Sequence, residues 1–322
     1  MTGRQTNTAA ALIGLSPLLY IVPGTQAEAL GGCAWLGGIA ALPVLALLAL
    51  LLQKRTPRAP GRLLSTAAAV WLLFGAACVL HGCAVRYCTA VGVFRTPAPY
   101  AALLLLTALP AALSRKRALF RASEIFLPVV LALLAVLLLC AATQLRPARL
   151  IDLTQLSAQG VLRAAVPVVV VGAAASVLPR CYAEVSPGAA PAILLGGLTA
   201  VLSAASVSVL GAPMTAGLEL PVFTMLRNIG LLHTIERLDA LMAAVWVLPD
   251  VTMLALLLRA GGDAAARALH IPSERAPTIA AAVIAAGGAA LIQAQGHGFL
   301  DRLAPLLMIS TAAAAVIGIL RK

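Results

Sequence analysis

The sequence predicts an all-α polytopic membrane protein of ten transmembrane helices, and three observations carry that expectation. Hydrophobic residues make up 61% of the 322 residues and charged ones only 11%, with a mean hydropathy of +1.00. That balance lies far outside the range of a soluble globular domain. Apolar runs recur along the whole chain at the length of roughly 20 residues that a bilayer core requires. The basic residues, finally, gather on alternate connections between those runs. Lipid offers backbone N–H and C=O groups no partner, so runs this long and this rich in Ala and Leu are expected to be helices.

The segments are Thr8 to Ala27, Cys33 to Leu52, Leu63 to Val85, Pro97 to Leu113, Leu119 to Ala142, Val161 to Leu178, Ala189 to Leu210, Ile235 to Leu258, Pro277 to Gln293 and Leu303 to Leu320. They leave little for a soluble domain, so residues 1–322 read as one transmembrane permease-like domain. With the N-terminus inside, 15 of the 23 Lys and Arg residues fall on the inner side, from Arg4 and the Lys54–Arg62 group to Arg321 and Lys322. Arg86, Arg95, Arg146, Arg149, Arg163, Arg227, Arg237 and Arg302 fall outside. Both termini are therefore expected in the cytoplasm. The net charge of +12 follows from topology. Nucleic acid is not expected as a partner, because the basic residues sit in short loops without interleaved aromatics. No cleavable signal peptide is expected, since the first apolar run continues into a spanning helix.

Two segments carry helix breakers, and they are the first and the sixth. Segment one contains Gly14, Ser16 and Pro17 near its middle; segment six contains Pro167, then Gly172, Ala173 and Ser176, then Pro179. A simple proline kink explains either site alone. Together, five segments apart, they match a five-plus-five inverted repeat, the first about 8–142 and the second about 161–320, with helices 1 and 6 broken around a midplane site. Exposed N–H groups at a half-helix start would hold a carboxylate, and free carbonyls would receive an ammonium or a cation. That chemistry describes a zwitterionic amino acid.

The eighth segment adds a polar stripe. At 100° per residue Asp239, Trp246, Asp250 and Met253 fall within about 60° of one another. Asp250, beside Pro249, is a functional-site candidate by its depth in an apolar helix, or else a structural group that ties the proline kink to a neighbouring helix. Glu124 is expected to pair with the basic cluster from Arg115 to Arg121. Cys78, Cys83 and Cys88 lie near His81, but Cys83 points away from the other three, so small apolar packing is expected and no metal. A pairing of Cys83 or Cys88 with Cys33 stays open. No P-loop, nucleophile elbow or paired His-Glu motif occurs, so neither an enzyme nor a cofactor is expected. The Gly-Gly pairs read as turns or close helix contacts.

From Leu220 to Val247 the chain runs LPVFTMLRNIGLLHTIERLDALMAAVWV. A polar loop with Arg227, Asn228 and His233 leads into Glu236-Arg237-Leu238-Asp239 at the entrance of an apolar helix. This run, together with Arg4-Gln5 before helix one, Pro23 at its outer end and Ala34-Trp35-Leu36 opening helix two, resembles the spore germination permease family, the B subunits of nutrient germinant receptors within the amino acid/polyamine/organocation superfamily. The resemblance spans essentially the full length, and its specific part is the Glu-Arg-Leu-Asp-Ala run. It implies the ten-helix inverted-repeat transporter fold, a small nutrient, often an amino acid, held between helices one, three, six and eight, and a complex with A-type and C-type subunits in the inner spore membrane. One departure is Ala174-Ala175-Ser176, where family members commonly carry acidic residues. The ligand set expected on this reading is Gly14, Ser16, Pro17, Gly172, Ala173, Ser176, Trp246 and Asp250, with Glu236, Arg237 and Asp239 as signature and interaction residues. Two other readings stand beside the receptor: a proton-coupled transporter of amino acids or polyamines using Asp250, and an assembly scaffold that binds no ligand.

Overall fold

The computed structural model of the protein describes residues 2–20, 22–53, 62–114, 116–177, 188–218, 220–228, 238–271 and 275–295. The helices in chain order are α1 (Gly3–Tyr20), α2 (Val22–Leu30), α3 (Trp35–Gln53), α4 (Arg62–Val91), α5 (Pro97–Leu113), α6 (Lys116–Ala142), α7 (Ala158–Val177), α8 (Ala190–Leu210), α9 (Ala212–Gly217), α10 (Pro221–Asn228), α11 (Leu238–Leu269) and α12 (Arg275–Gln295). No strand occurs among the described residues. The first nine predicted segments fall on these helices; the tenth, 303–320, lies outside the described residues. Among the described residues, four helices contain stretches long and apolar enough to cross a membrane: Ser65–Thr89, Arg117–Ala142, Ala190–Leu210 and Arg275–Ala294. The bent pair Val22–Cys33 and Trp35–Leu51, taken as one span, makes a fifth.

The backbone departs from expectation where breaks were predicted. Gly14, Ser16 and Pro17 all belong to α1, and Pro167, Gly172, Ala173 and Ser176 all belong to α7. The sharp change of direction comes instead after α2, where the chain turns through 112° into α3. Gly31 supplies that turn, with a φ of +56° that only glycine adopts without strain. The loop expected before the eighth segment also begins as helix, since α10 places Pro221 at its start and buries Val222, Phe223, Met225 and Leu226.

The helices sort into two groups. One holds α2, α3, α7 and α8, where α3 packs on both α7 and α8; the other holds α4, α5, α11 and α12, centred on a long contact between α4 and α11. Helix α1 lies between the groups and touches α7, α8, α11 and α6. Gln26 knits the first group together, donating to the Ala164 carbonyl at 3.2 Å and accepting from the Ser203 hydroxyl. At the N-terminal end of α1, Glu124 of α6 accepts from Gln5 at 3.4 Å and pairs with Arg4 at 3.7 Å; Arg115 of the expected basic partner cluster lies outside the described residues.

Close helix approach rests on glycine. A Cβ on Gly37 would meet Ala164 at 2.7 Å, one on Gly38 the Ala200 backbone at 2.6 Å, and one on Gly262 the Thr278 backbone at 2.9 Å. Small residues at such crossings let backbones approach and gain dispersion contacts, the main source of helix association where no water is present to expel. The outer surface is the complement: Leu47, Leu106, Ile125, Leu139, Val283 and Leu291 are exposed large apolar residues, as a lipid-facing surface requires.

Replacing Gly38 by Leu drives a side chain into the α8 backbone and is predicted to lower stability by about 1–3 kcal/mol or more. Gly197, whose added Cβ would meet nothing within 4 Å, is predicted to accept the same change with an effect of about 0.5 kcal/mol or less. Thermal unfolding of the two variants in one detergent checks the contrast.

Candidate functional site

Helices α4 and α11 run antiparallel: Leu73 lies beside Gly261, Gly75 beside Leu257, and Arg86 beside Asp250. Arg86 Nη2 donates to Asp250 Oδ2 in an ion pair whose side chains are 2% and 1% exposed. Tyr87 Oη donates to the same carboxylate oxygen at 2.7 Å. The Arg86 guanidinium also lies 4.8 Å from the centre of the Tyr87 ring, within cation–π range. Neither charge would be tolerated alone at this depth, so each requires the other.

The aromatic side of the site reaches the α4–α5 connection. Tyr87 stacks on Tyr100 with ring centres 6.5 Å apart, and Phe94 meets Tyr100 edge-on at 5.2 Å. Tyr100 Oη in turn accepts from the Val93 and Phe94 amides at 3.0 and 3.1 Å. Gly92, with φ +66°, ends α4 and turns the chain into this loop. A continuous series of contacts thus links the buried carboxylate to an exposed loop.

Trp246 lies one turn before Asp250 on α11 and is fully buried, and its indole N–H has no hydrogen-bond partner among the described residues. Trp246, Asp250 and Met253 of the expected stripe are all buried, as are Thr252 and Leu254 to Leu258 beside them. Asp239 begins the same helix, while Glu236 and Arg237 lie outside the described residues. A second charged pair sits farther along α11, where Arg259 Nε lies 3.4 Å from Asp263 and Arg259 Nη1 donates to the Ala112 carbonyl of α5 at 3.3 Å.

Among the remaining expected ligand residues, Gly14 brings α1 against α7, where an added Cβ would lie 3.3 Å from Ala175. A Cβ on Gly14 would collide with Leu195 of α8, and one on Gly172 with Leu45 of α3. Ala173 is buried. Ser16, Pro17 and Ser176 contribute helical backbone. The two glycines serve as helix contacts where exposed backbone was expected. Arg86 and Tyr87 were not anticipated as site residues: the third predicted segment stopped at Val85, and Arg86 was assigned to an outer loop. The apolar run from Ala67 to Leu80 shortly before it, and an acid in segment eight with no basic residue near it in the sequence, were the signals. Among the described residues no disulfide joins Cys33, Cys78, Cys83, Cys88 or Cys140, and no three His, Cys, Asp or Glu side chains come together as a metal site would need. Cys33 faces the Asp152 carbonyl at 3.4 Å.

At the surface, the α6–α7 connection closes over this first group. Trp35 Nε1 donates to the Leu150 carbonyl at 3.4 Å, and Arg149 Nη1 donates to the Ser208 and Val209 carbonyls at 3.3 and 2.6 Å. A cation at the end of α8 is favoured by the helix dipole. Gly32, Arg149, Asp152 and residues 210–214 border a surface cleft of about 630 Å³. Hydrogen bonds from the Thr154 hydroxyl and amide hold the Asp152 carboxyl below the usual carboxylate range.

Loss of Arg86 strands a buried carboxylate, so Arg86→Ala is predicted to destabilise by about 3–5 kcal/mol. Tyr87→Phe removes one hydrogen bond to a charged group and is predicted to cost about 1.5–3 kcal/mol. Chemical unfolding in a fixed detergent ranks the two. At Asp152 the folded-state value lies below the unfolded one, so its contribution is complete above the unfolded value and fades as pH falls through the folded one. The gap in unfolding midpoint between wild type and Asp152→Ala is predicted to persist from neutral pH to about 4 and to shrink below it. No protein-family model matches the chain and no curated protein matches it, so a functional reading rests on this geometry and on the sequence run from Leu220 to Val247.

Proposed function

We propose that the chain is the membrane subunit of a spore nutrient germinant receptor, a ten-helix permease-like bundle that binds a small nutrient and signals to A-type and C-type partner subunits in the inner spore membrane. The observation that carries the fold is the grouping of helices. Predicted segment one holds α1 and most of α2, segments two, six and seven are α3, α7 and α8, and segments three, four, eight and nine are α4, α5, α11 and α12; α2 packs with the first group, while α1 lies between the two. In each set every segment has its counterpart five places on, which is what a five-plus-five repeat produces. Segment one meets both segment six and segment eight, through the contacts of α1 with α7 and α11.

The pair supports sensing because it can exist in two arrangements, closed on itself or opened around a ligand. A ligand shifts such an equilibrium only if it binds one arrangement better. Glu236, Arg237 and Asp239 would then stand at the mouth of the site, on the side that the basic residues assign to the exterior. The same buried carboxylate also supports a proton-coupled transporter of amino acids or polyamines. Uptake into proteoliposomes that requires a proton gradient and disappears in Asp250→Asn would replace the receptor reading with that one.

Spores carrying Asp250→Asn are predicted to lose response to one nutrient at least tenfold in effective concentration while the protein still accumulates in the membrane, a change of about 1.4 kcal/mol. Germination scored by loss of optical density, with membrane blots as control, measures this. Unchanged response to every nutrient in spores lacking the chain would refute the proposal.

A further inference from the structure

The α6–α7 connection carries a charged site of its own, open at the surface. Arg149 and Asp152 border the cleft of about 630 Å³ together with Gly32 and residues 210–214, a volume within the range of roughly 300–1,000 Å³ that small-molecule sites occupy. Glycine keeps the backbone close beneath both charges. A Cβ on Gly32 would lie 2.9 Å from Asp152 Cβ, and one on Gly211, where φ is +91°, would lie 3.8 Å from Arg149 Nη1. Arg149 uses Nη1 for the Ser208 and Val209 carbonyls, and its Nε and Nη2 make no hydrogen bond among the described residues. Asp152 engages Oδ1 with the Thr154 amide and hydroxyl at 3.1 and 2.6 Å, and its Oδ2 makes none among those residues. Two opposite charges line one cleft with bonding capacity in reserve.

The cleft lies at the level of lipid headgroups. Leu210, in its lining, is the last residue of the Ala190–Leu210 stretch, and the hydrocarbon core that such a stretch matches gives way at its end to the polar interface. Trp35 starts α3 nearby and donates to the Leu150 carbonyl, and tryptophan is enriched at that interface. Ile151 and Leu153, which flank Asp152, are 71% and 61% exposed, and Met214 of the lining is 48% exposed. Large apolar side chains bared around a charged cleft are unfavourable in water and favourable at the boundary of headgroups and acyl chains.

We propose that this cleft binds the headgroup of a phospholipid with a primary ammonium, phosphatidylethanolamine, its phosphate on Arg149 and its ammonium on Asp152. The site does not depend on the nutrient-receptor reading; it requires only that the chain lies in a bilayer. Guanidinium donors match phosphate oxygens as a planar fork, and Nε and Nη2 form one edge of that fork. Asp152 Oδ2 accepts from the ammonium N–H. A phosphatidylglycerol head supplies the anion with no cation for Asp152, and a choline head carries its charge on a nitrogen that has no N–H to donate. Free phosphoethanolamine shares the headgroup chemistry, but Ile151, Leu153 and Met214 favour the form that brings acyl chains with it.

Native mass spectrometry of the full-length protein, released from detergent that carries equal amounts of dioleoyl phosphatidylethanolamine, phosphatidylglycerol and phosphatidylcholine, reads which lipid is retained first. Phosphatidylethanolamine is expected to exceed each of the others by on the order of three- to fivefold, the effect of one solvent-exposed ion pair. Asp152→Asn keeps an acceptor for Thr154, removes the charge, and is expected to abolish that preference. Soluble glycerophosphoethanolamine in excess is expected to leave the retained lipid in place. Equal retention of the three lipids, or a preference that survives Asp152→Asn, overturns the proposal; displacement by the soluble headgroup overturns the lipid as occupant and assigns the cleft to a free solute. The series on wild type decides even if the variant fails to fold.

Discussion

Arg86 and Asp250 meet inside a bundle where neither charge could be held alone. Ionised groups taken out of water lose several kcal/mol of solvation each, and the loss is offset only when the partner is close and the remaining donors and acceptors are engaged. Tyr87 completes the carboxylate, and the stacked Tyr100 and Phe94 connect the pair to the loop that closes α4. The requirement fixes more than one contact. It sets the register of α4 against α11, since a slip of one residue would rotate Asp250 about 100° away from its partner.

Register matters because the rest of the bundle has little directional bonding. Gly37 and Gly38 bring α3 against α7 and α8, and Gly261 and Gly262 bring α11 against α4 and α12. Such contacts reward any close approach of smooth helices and discriminate weakly between neighbouring registers. The polar ties supply the discrimination: Arg86 with Asp250 across one group, Gln26 with Ala164 and Ser203 across the other, and Glu124 with Gln5 between α1 and α6. Two of those ties lie each within one helix group, and α1 lies between the groups.

Helical membrane architecture was legible because hydropathy is a local property, and long Ala- and Leu-rich runs admit no other solution in lipid. The candidate site was legible only in part. Asp250 and Trp246 stood out because a 3.6-residue period places them on one face of one helix, and both are buried there. Arg86 was missed because its partner lies 164 residues away in the chain; judged by its own neighbourhood, a charge after Val85 ends an apolar segment. Gly14 and Gly172 were misjudged for a related reason. Glycine permits unwinding and also permits contact, and which one prevails depends on whether Leu195 and Leu45 arrive from other helices. Gly31, where the chain does turn through a positive φ, belongs to one of the Gly-Gly pairs that the sequence marks as a turn or a close helix contact without deciding between them.

A double-mutant cycle tests the central claim most directly. The unfolding free energies of wild type, Arg86→Ala, Asp250→Ala and the double variant, measured in one lipid composition, yield the coupling between the two side chains. The account predicts a double variant less destabilised than the sum of the single ones, by more than about 1 kcal/mol, because removing the second charge relieves the first. Additivity within about 0.5 kcal/mol would mean that the two residues do not depend on each other, and would contradict the account.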